Sequence, residues 1–388
     1  MTDPQRSAME PTPPREPLAP GGRLAPLLDR QHLLVCVGSG GVGKTTTAAA
    51  LGIAAATRGR RTAVLTIDPA RRLRDALGIA NLDGDPHRVP LGRHMHGAAA
   101  GPLDAMVLDT KRTFDELIQR YAPTSAAAER VLTNRIYESI STALAGSQEY
   151  MAMERLHALA ASGDYDLLVV DTPPTQHALD FLEAPERLTA LLTSRAAAIL
   201  QNPSLILARE GSRLVQAALS AVLRGLERFT GFELLRDVAE FVGGLEEFSA
   251  GFQERAATVA RFLRAPETSF VLVTTPESAR IAETVAFHRE LARAGLPFAG
   301  FVVNRVLPPT LLGTPPFPDV ERASAGDVAL GRKLADLQQR FTTLVRAERA
   351  EIDRLRAAAP DALVVEVPLA TDEPSSLARL VTLSGTLS

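Results

Sequence analysis

The sequence predicts an α/β fold, a mostly parallel sheet between two layers of helices, and three observations predict it. First, Leu33–Val37, Arg61–Ile67, Tyr165–Val170, Ser269–Thr274, Phe298–Val303 and Ala362–Val367 are short, nearly continuous apolar runs, as strands buried on both faces are. Second, segments with apolar residues at three- and four-residue spacings lie between most of them, and strands alternating with helices imply a parallel sheet. Third, the residues with chemistry to offer follow those runs at once: Gly38–Thr45, Asp68, Asp171, Thr274–Glu277 and Asn304. Ligands of such sheets sit at the carboxyl ends of the strands, so five strand ends point to one site.

Residues 1–22 are rich in proline and lack an apolar core segment, so they read as a disordered tail rather than a signal peptide or a membrane span. Residues 23–388 form the folded part. The first strand, Leu33–Val37, breaks into Gly38-Ser39-Gly40-Gly41-Val42-Gly43-Lys44-Thr45 and runs into an alanine-rich helix, Thr46–Ala56. The second strand ends in Asp68-Pro69-Ala70-Arg71-Arg72-Leu73-Arg74-Asp75. Residues 80–102, rich in Gly, Pro and His without period, read as a loop, and Leu103–Ser162 reads as helical throughout. The third strand delivers Asp171-Thr172-Pro173-Pro174-Thr175-Gln176-His177. Residues 184–265 read as an inserted all-helical subdomain. They carry one stripe of Val215, Leu219, Val222, Leu226 and Phe229, and another of Leu234, Val238, Phe241, Leu245, Phe248 and Phe252. After that come a strand, a helix over Glu277–Arg293, another strand, a Pro/Gly loop over 307–325, a long helix over Asp327–Ala358 and a last strand.

Composition narrows the function. A formal net charge of −3 gives no electrostatic case for nucleic acid. One cysteine, Cys36, excludes a disulfide framework within the chain and fits a reducing cytoplasm. The charged content of 22% and apolar content of 46% are those of a globular chain.

Gly38–Thr45 matches GxxxxGK[ST] in the setting the motif requires, a strand before and a helix after. Backbone N–H groups wrap a phosphate closely only where side chains are absent, and the helix N-terminus adds unpaired donors. Lys44 would reach the β/γ-phosphates and Thr45 would place its hydroxyl on Mg²⁺. The chain has three lysines, Lys44, Lys111 and Lys333, among 42 basic residues, so lysine at this position is a marked choice. The motif defines the fold class as a three-layer α/β/α P-loop NTPase, with ATP and Mg²⁺ as ligands. Asp171, after an apolar strand, is placed to hold Mg²⁺ beside Thr45. Asp68 is a candidate to orient or deprotonate the attacking water, or else the cap of a helix starting near Pro69. Thr172–His177 could sense the γ-phosphate as switch loops do, though His177 also fits a plain polar loop. Arg71, Arg72 and Arg74 could neutralise phosphate charge or form a solvated basic face.

With these residues in place the chain resembles the arsenite-pump-type and tail-anchored-protein-targeting ATPases. Gly38–Thr46 corresponds to the P-loop, Asp68–Ala76 to switch I, Asp171–Leu182 (DTPPTQHALDFL) to switch II, and Val302–Arg305 (VVNR) to the adenine-side motif. The resemblance implies that Gly38, Ser39, Gly40, Gly41, Val42, Gly43, Lys44, Thr45 and Thr46 cradle nucleotide, that Asp68 activates water, and that Asn304 hydrogen-bonds adenine. It also implies that Glu277 touches nucleotide across a dimer and that 184–265 moves with nucleotide state. Three departures qualify it. The lysine that the family places before the paired glycines is Ser39, so stabilisation of the partner subunit's phosphates weakens or is supplied otherwise, as by Arg71 or Arg72. There is no Cys-x-x-Cys pair, so no zinc-bridged dimer is expected. A single cysteine does not supply the thiolates that a trivalent metalloid needs.

The reading that follows is a cytoplasmic Mg²⁺-dependent ATPase. Its homodimer, or heterodimer with a related ATPase, cycles with nucleotide and acts on a protein or membrane partner. A second reading is a nucleotide-gated binding protein with weak or partner-dependent hydrolysis, its helical subdomain holding an apolar helix or membrane-protein cargo. A third, a DNA- or lipid-surface ATPase, lacks the basic tail it would need, since the C-terminal LARLVTLSGTLS has one arginine.

Overall fold

The structure, a computed structural model, describes residues 24–68, 72–93, 100–122, 124–134, 137, 147–173, 249–308, 328–370 and 377–388. The proline-rich tail, Arg71, Pro174–His177, residues 184–248 of the expected helical subdomain and residues 309–327 lie outside these.

Five-residue strands β1 (Leu33–Val37), β2 (Thr62–Thr66) and β5 (Leu167–Asp171) are buried along their whole length. They join β3 (His87–Arg88), β4 (Leu103–Val107), β6 (Thr268–Thr274), β7 (Phe298–Val306) and β8 (Leu363–Pro368). The eight form one sheet in the order β3-β4-β2-β5-β1-β6-β7-β8, in which β3 pairs antiparallel and every other pairing is parallel. The α/β expectation is met. β1 lies between β5 and β6, where the chain changes the direction in which it adds strands, the switch point at which open sheets of this kind bind ligands.

Helices cover both faces. The two-residue period of β1 sends Leu33, Val35 and Val37 into one core and Leu34 and Cys36 into the other. The first core is closed by α4 (Thr110–Tyr121), α5 (Ser125–Leu132), α6 (Ser147–Ser162), α7 (Ser249–Arg264), α8 (Ser278–Arg293) and α9 (Val328–Ala358). The second is closed by α1 (Ala25–Arg30), α2 (Lys44–Thr57), α3 (Arg72–Leu77) and α10 (Leu377–Leu387). The alanines of α2 let it lie close on the sheet, and Ala48–Ala50 and Ala54–Ala56 are all buried.

The helical reading of Leu103–Ser162 is corrected at its start. Leu103–Val107 is a strand paired residue for residue with Thr62–Thr66. Leu, Ala and Met favour helix in isolation, but here the ladder to β2 and burial on both faces decide the outcome. Within the expected 80–102 loop, His87–Arg88 adds the antiparallel edge strand. The described part of the 184–265 stretch, α7, is helical. The C-terminal α10 had no strong sequence signal, yet it packs on α2 with Leu380 and Leu387 fully buried. The chain is closed there by a bond from the Leu24 amide to the Leu387 carbonyl.

Replacing Leu380 by alanine is expected to lower unfolding free energy by about 2–5 kcal/mol, the usual range for a buried leucine. Urea denaturation measures it, and a loss under about 1 kcal/mol would mean that α10 does not hold α2.

Candidate functional site

The carboxyl ends of β1, β2, β5, β6 and β7 meet around the turn that follows β1. Gly38 leaves the strand so close to β6 that a Cβ would lie 2.2 Å from the Val273 carbonyl oxygen. Gly43, at φ 97°, caps α2 in the left-handed region, where a Cβ would meet the Asn304 amide nitrogen at 2.2 Å. Both positions therefore require glycine, and the turn they shape runs straight into the α2 N-terminus.

Lys44 is 7% exposed and its Nζ donates to the Ser39 carbonyl at 2.9 Å. Burial lowers its pKa, the nearby carboxylates of Asp171 and Asp68 working the other way. Thr45 Oγ1 donates to Asp171 Oδ2 at 2.7 Å, and Thr66 Oγ1, from the end of β2, donates to the same oxygen at 2.9 Å. Asp171 is fully buried, and its other oxygen, Oδ1, has no hydrogen-bond partner among the described residues. Burial pushes its carboxyl above the ordinary aspartate value, against the pull of the two threonines and Lys44. An orphaned carboxylate oxygen beside a threonine hydroxyl suits a hard divalent cation such as Mg²⁺, which takes oxygen ligands. Thr172 Oγ1 ties the start of the next loop to the Cys36 carbonyl at 2.9 Å. Cys36 is buried and its thiol pKa is raised by desolvation, so it sits in the core as an inert thiol.

Asp68 stands at the end of β2 with its side chain 16% exposed, and Arg72 Nη1 lies 3.3 Å from Asp68 Oδ2. Arg72 thus faces the carboxylate, not open solvent alone. Asn304 Nδ2 donates to the Val42 carbonyl at 2.9 Å while its Oδ1 accepts from the Arg305 amide. Arg305, at φ 61°, is the one non-glycine residue with positive φ among those described. Asn304 therefore abuts the P-loop, and the turn after it is held in a form unusual for a side-chain-bearing residue. Glu277, exposed at the end of β6, accepts a bond from the Thr275 hydroxyl. Ser39 Oγ donates to Glu283, which is also paired with Arg280 at 3.1 Å, on the first turns of α8. Sequence reasoning did not single out Thr66, Glu283 or Arg280. Thr66 lies inside a predicted strand and carries no motif, and the pair on α8 looks like an ordinary exposed helix face.

Residues 31–315 match the profile of the anion-transporting ATPase family. The chain belongs to that family. Among its relatives is the ATPase GET3 of Malassezia globosa, 24% identical over 92% of both chains. GET3 of Chaetomium globosum is 26% identical over 78% of each. A putative arsenical pump-driving ATPase of Chlorobaculum tepidum is 31% identical over 41% of this chain, which spans only 36% of that relative. As a member of this ATPase family the chain is an ATP-hydrolysing P-loop enzyme. Among the described residues no helix is long and apolar enough to cross a membrane.

The raised pKa of Asp171 makes a signed prediction. A folded-state value above the unfolded one means the folded protein holds that proton more tightly. The group's contribution to stability is thus lost as pH rises from the ordinary aspartate range through the raised value. Asp171→Asn should remove this loss, so variant minus parent stability should rise with pH, by up to about 1.4 kcal/mol per pH unit inside that window. Thermal melts across pH without nucleotide measure it. A difference that is flat with pH would mean the carboxyl is not held in a desolvated site.

Proposed function

We propose that this family member couples Mg²⁺-dependent hydrolysis of ATP to a dimer cycle that acts on a protein or membrane partner. The observation that carries the catalytic part is the Asp171 carboxylate, buried and half-satisfied, bonded to the first threonine of the P-loop helix. Bound Mg²⁺ would neutralise phosphate charge. Thr45, through its hydroxyl oxygen, and Asp171 would hold it. Backbone N–H groups of Gly38–Thr46 cradle the phosphates, and Lys44 turns from the Ser39 carbonyl to their β/γ oxygens. Asp68 orients the attacking water and accepts its proton, and Arg72 steadies Asp68 or neutralises charge nearby. Asn304, already against Val42, borders the base, and Glu277 lies where a partner subunit's nucleotide could reach it.

The dimer and its partner rest on the family relationship. With Ser39 where a lysine is expected, the cation that would cross the dimer comes from elsewhere in the assembly. Hydrolysis by the pure protein alone supports a self-sufficient homodimer. Turnover seen only after adding a related ATPase favours the heterodimer.

Lys44→Ala is expected to abolish binding of a fluorescent ATP analogue. Asp68→Asn should keep that binding within about twofold and lower steady-state turnover at least about a hundredfold, the scale of general-base loss. Unchanged turnover in Asp68→Asn would remove Asp68 from the chemistry, and unchanged binding in Lys44→Ala would remove the phosphate site.

A further inference from the structure

The peptide group joining Ile67 to Asp68 is held from an element outside the nucleotide motifs. Gln148, on the first turn of α6, donates its Nε2 to the Ile67 carbonyl at 2.7 Å. The other polar group of Ile67, its amide, donates to the Asp171 carbonyl at 2.9 Å. Ile67 is 1% exposed, so neither of its backbone groups can turn to water for a substitute. The carbonyl of Ile67 and the amide of Asp68 share one plane. Fixing that carbonyl therefore fixes the tilt of the peptide from which the Asp68 side chain springs.

The anchor itself does not yield. Just behind Gln148, the α6 residues Tyr150, Met151, Ala152 and Met153 are each no more than 1% exposed and belong to the core against the sheet. β2 ends at Thr66, and past it the sheet holds the chain by one more bond, that of the Ile67 amide to the Asp171 carbonyl. The last strand residue, Thr66, is occupied by Asp171 Oδ2. From the sheet side the Thr66 hydroxyl reaches the Asp68 carbonyl at 3.5 Å, and from the packed helix layer Gln148 holds the Ile67 carbonyl, the point where Asp68 begins.

We propose that Gln148 is a positioning residue for Asp68, setting the aim of the carboxylate at the attacking water without touching nucleotide. This rests on the hydrolytic role proposed for Asp68. A misaimed base slows the chemical step and leaves phosphate binding intact, since the P-loop and Asp171 are held by other bonds. Loss of one hydrogen bond of ordinary strength corresponds to about a five- to tenfold fall in rate.

Gln148→Met keeps the length and packing of the side chain and removes the donor. Gln148→Glu keeps the shape and replaces the donor by an acceptor. Both are expected to lower kcat about five- to tenfold with KM and the affinity for a fluorescent ATP analogue within about twofold. Added to Asp68→Asn, Gln148→Met should cause no further loss of kcat, because its effect passes through the group already removed. Unchanged kcat in both single variants would overturn the proposal. So would KM and kcat changing together, or a full additional loss in the Asp68→Asn background. These results separate from failure of the underlying reading, which would appear as Asp68→Asn itself retaining parental turnover.

Discussion

The parallel register of β5 between β1 and β2 is the constraint on which the site depends. It sets Cys36 opposite Asp171 on one side and Thr66 opposite Asp171 on the other. Only then does a carboxylate emerge beneath the turn after β1, within reach of Thr45 from α2 and Thr66 from β2. A slip of one residue would turn the Asp171 side chain to the opposite face and send its charge into the helix layer under α4 and α6. The near-continuous apolar character of the three strands makes their burial two-sided, and the register is fixed by which residues suit each core.

The site sets burial against charge. An aspartate with no exposed surface, one oxygen shared by two threonines and the other without a partner, is an expensive arrangement for a folded protein. Lys44 lies against a carbonyl of its own loop, a modest partner for a buried ammonium. On the proposed reading both groups would gain better partners from phosphate and a divalent cation, which would link ligand binding to stability through them. At the rim Arg72 pairs with Asp68, and Glu283, paired with Arg280, takes the Ser39 hydroxyl.

Much of this was legible in the chain before any fold was known. The P-loop, Asp68 and Asp171 could be read because their chemistry demands fixed residue types right after apolar runs. The strands around β1 could be read because two-sided burial leaves an unbroken apolar string. β4 was hidden, since LDAMV has helix-favouring residues and a charge at its second position, and only the ladder to β2 makes it a strand. α10 was hidden for a related reason. Its leucines matter only because α2 presents an alanine surface that lies hundreds of residues earlier. Gln148 could not be read at all, because nothing in a glutamine on an ordinary helix announces that it meets Ile67. Groups that act through backbone contacts leave no pattern in sequence.

The central claim is that a triphosphate lies along the turn after β1 with its metal between Thr45 and Asp171. A crystal structure of the protein with Mg²⁺, ADP and a metal fluoride tests it most directly. The account predicts that Mg²⁺ is held by Thr45 and Asp171, that Lys44 Nζ has moved from the Ser39 carbonyl to phosphate oxygens, and that Asp68 faces the fluoride across one water. A nucleotide bound elsewhere, or one bound here with Lys44 still on the Ser39 carbonyl and Asp68 turned away, would contradict it.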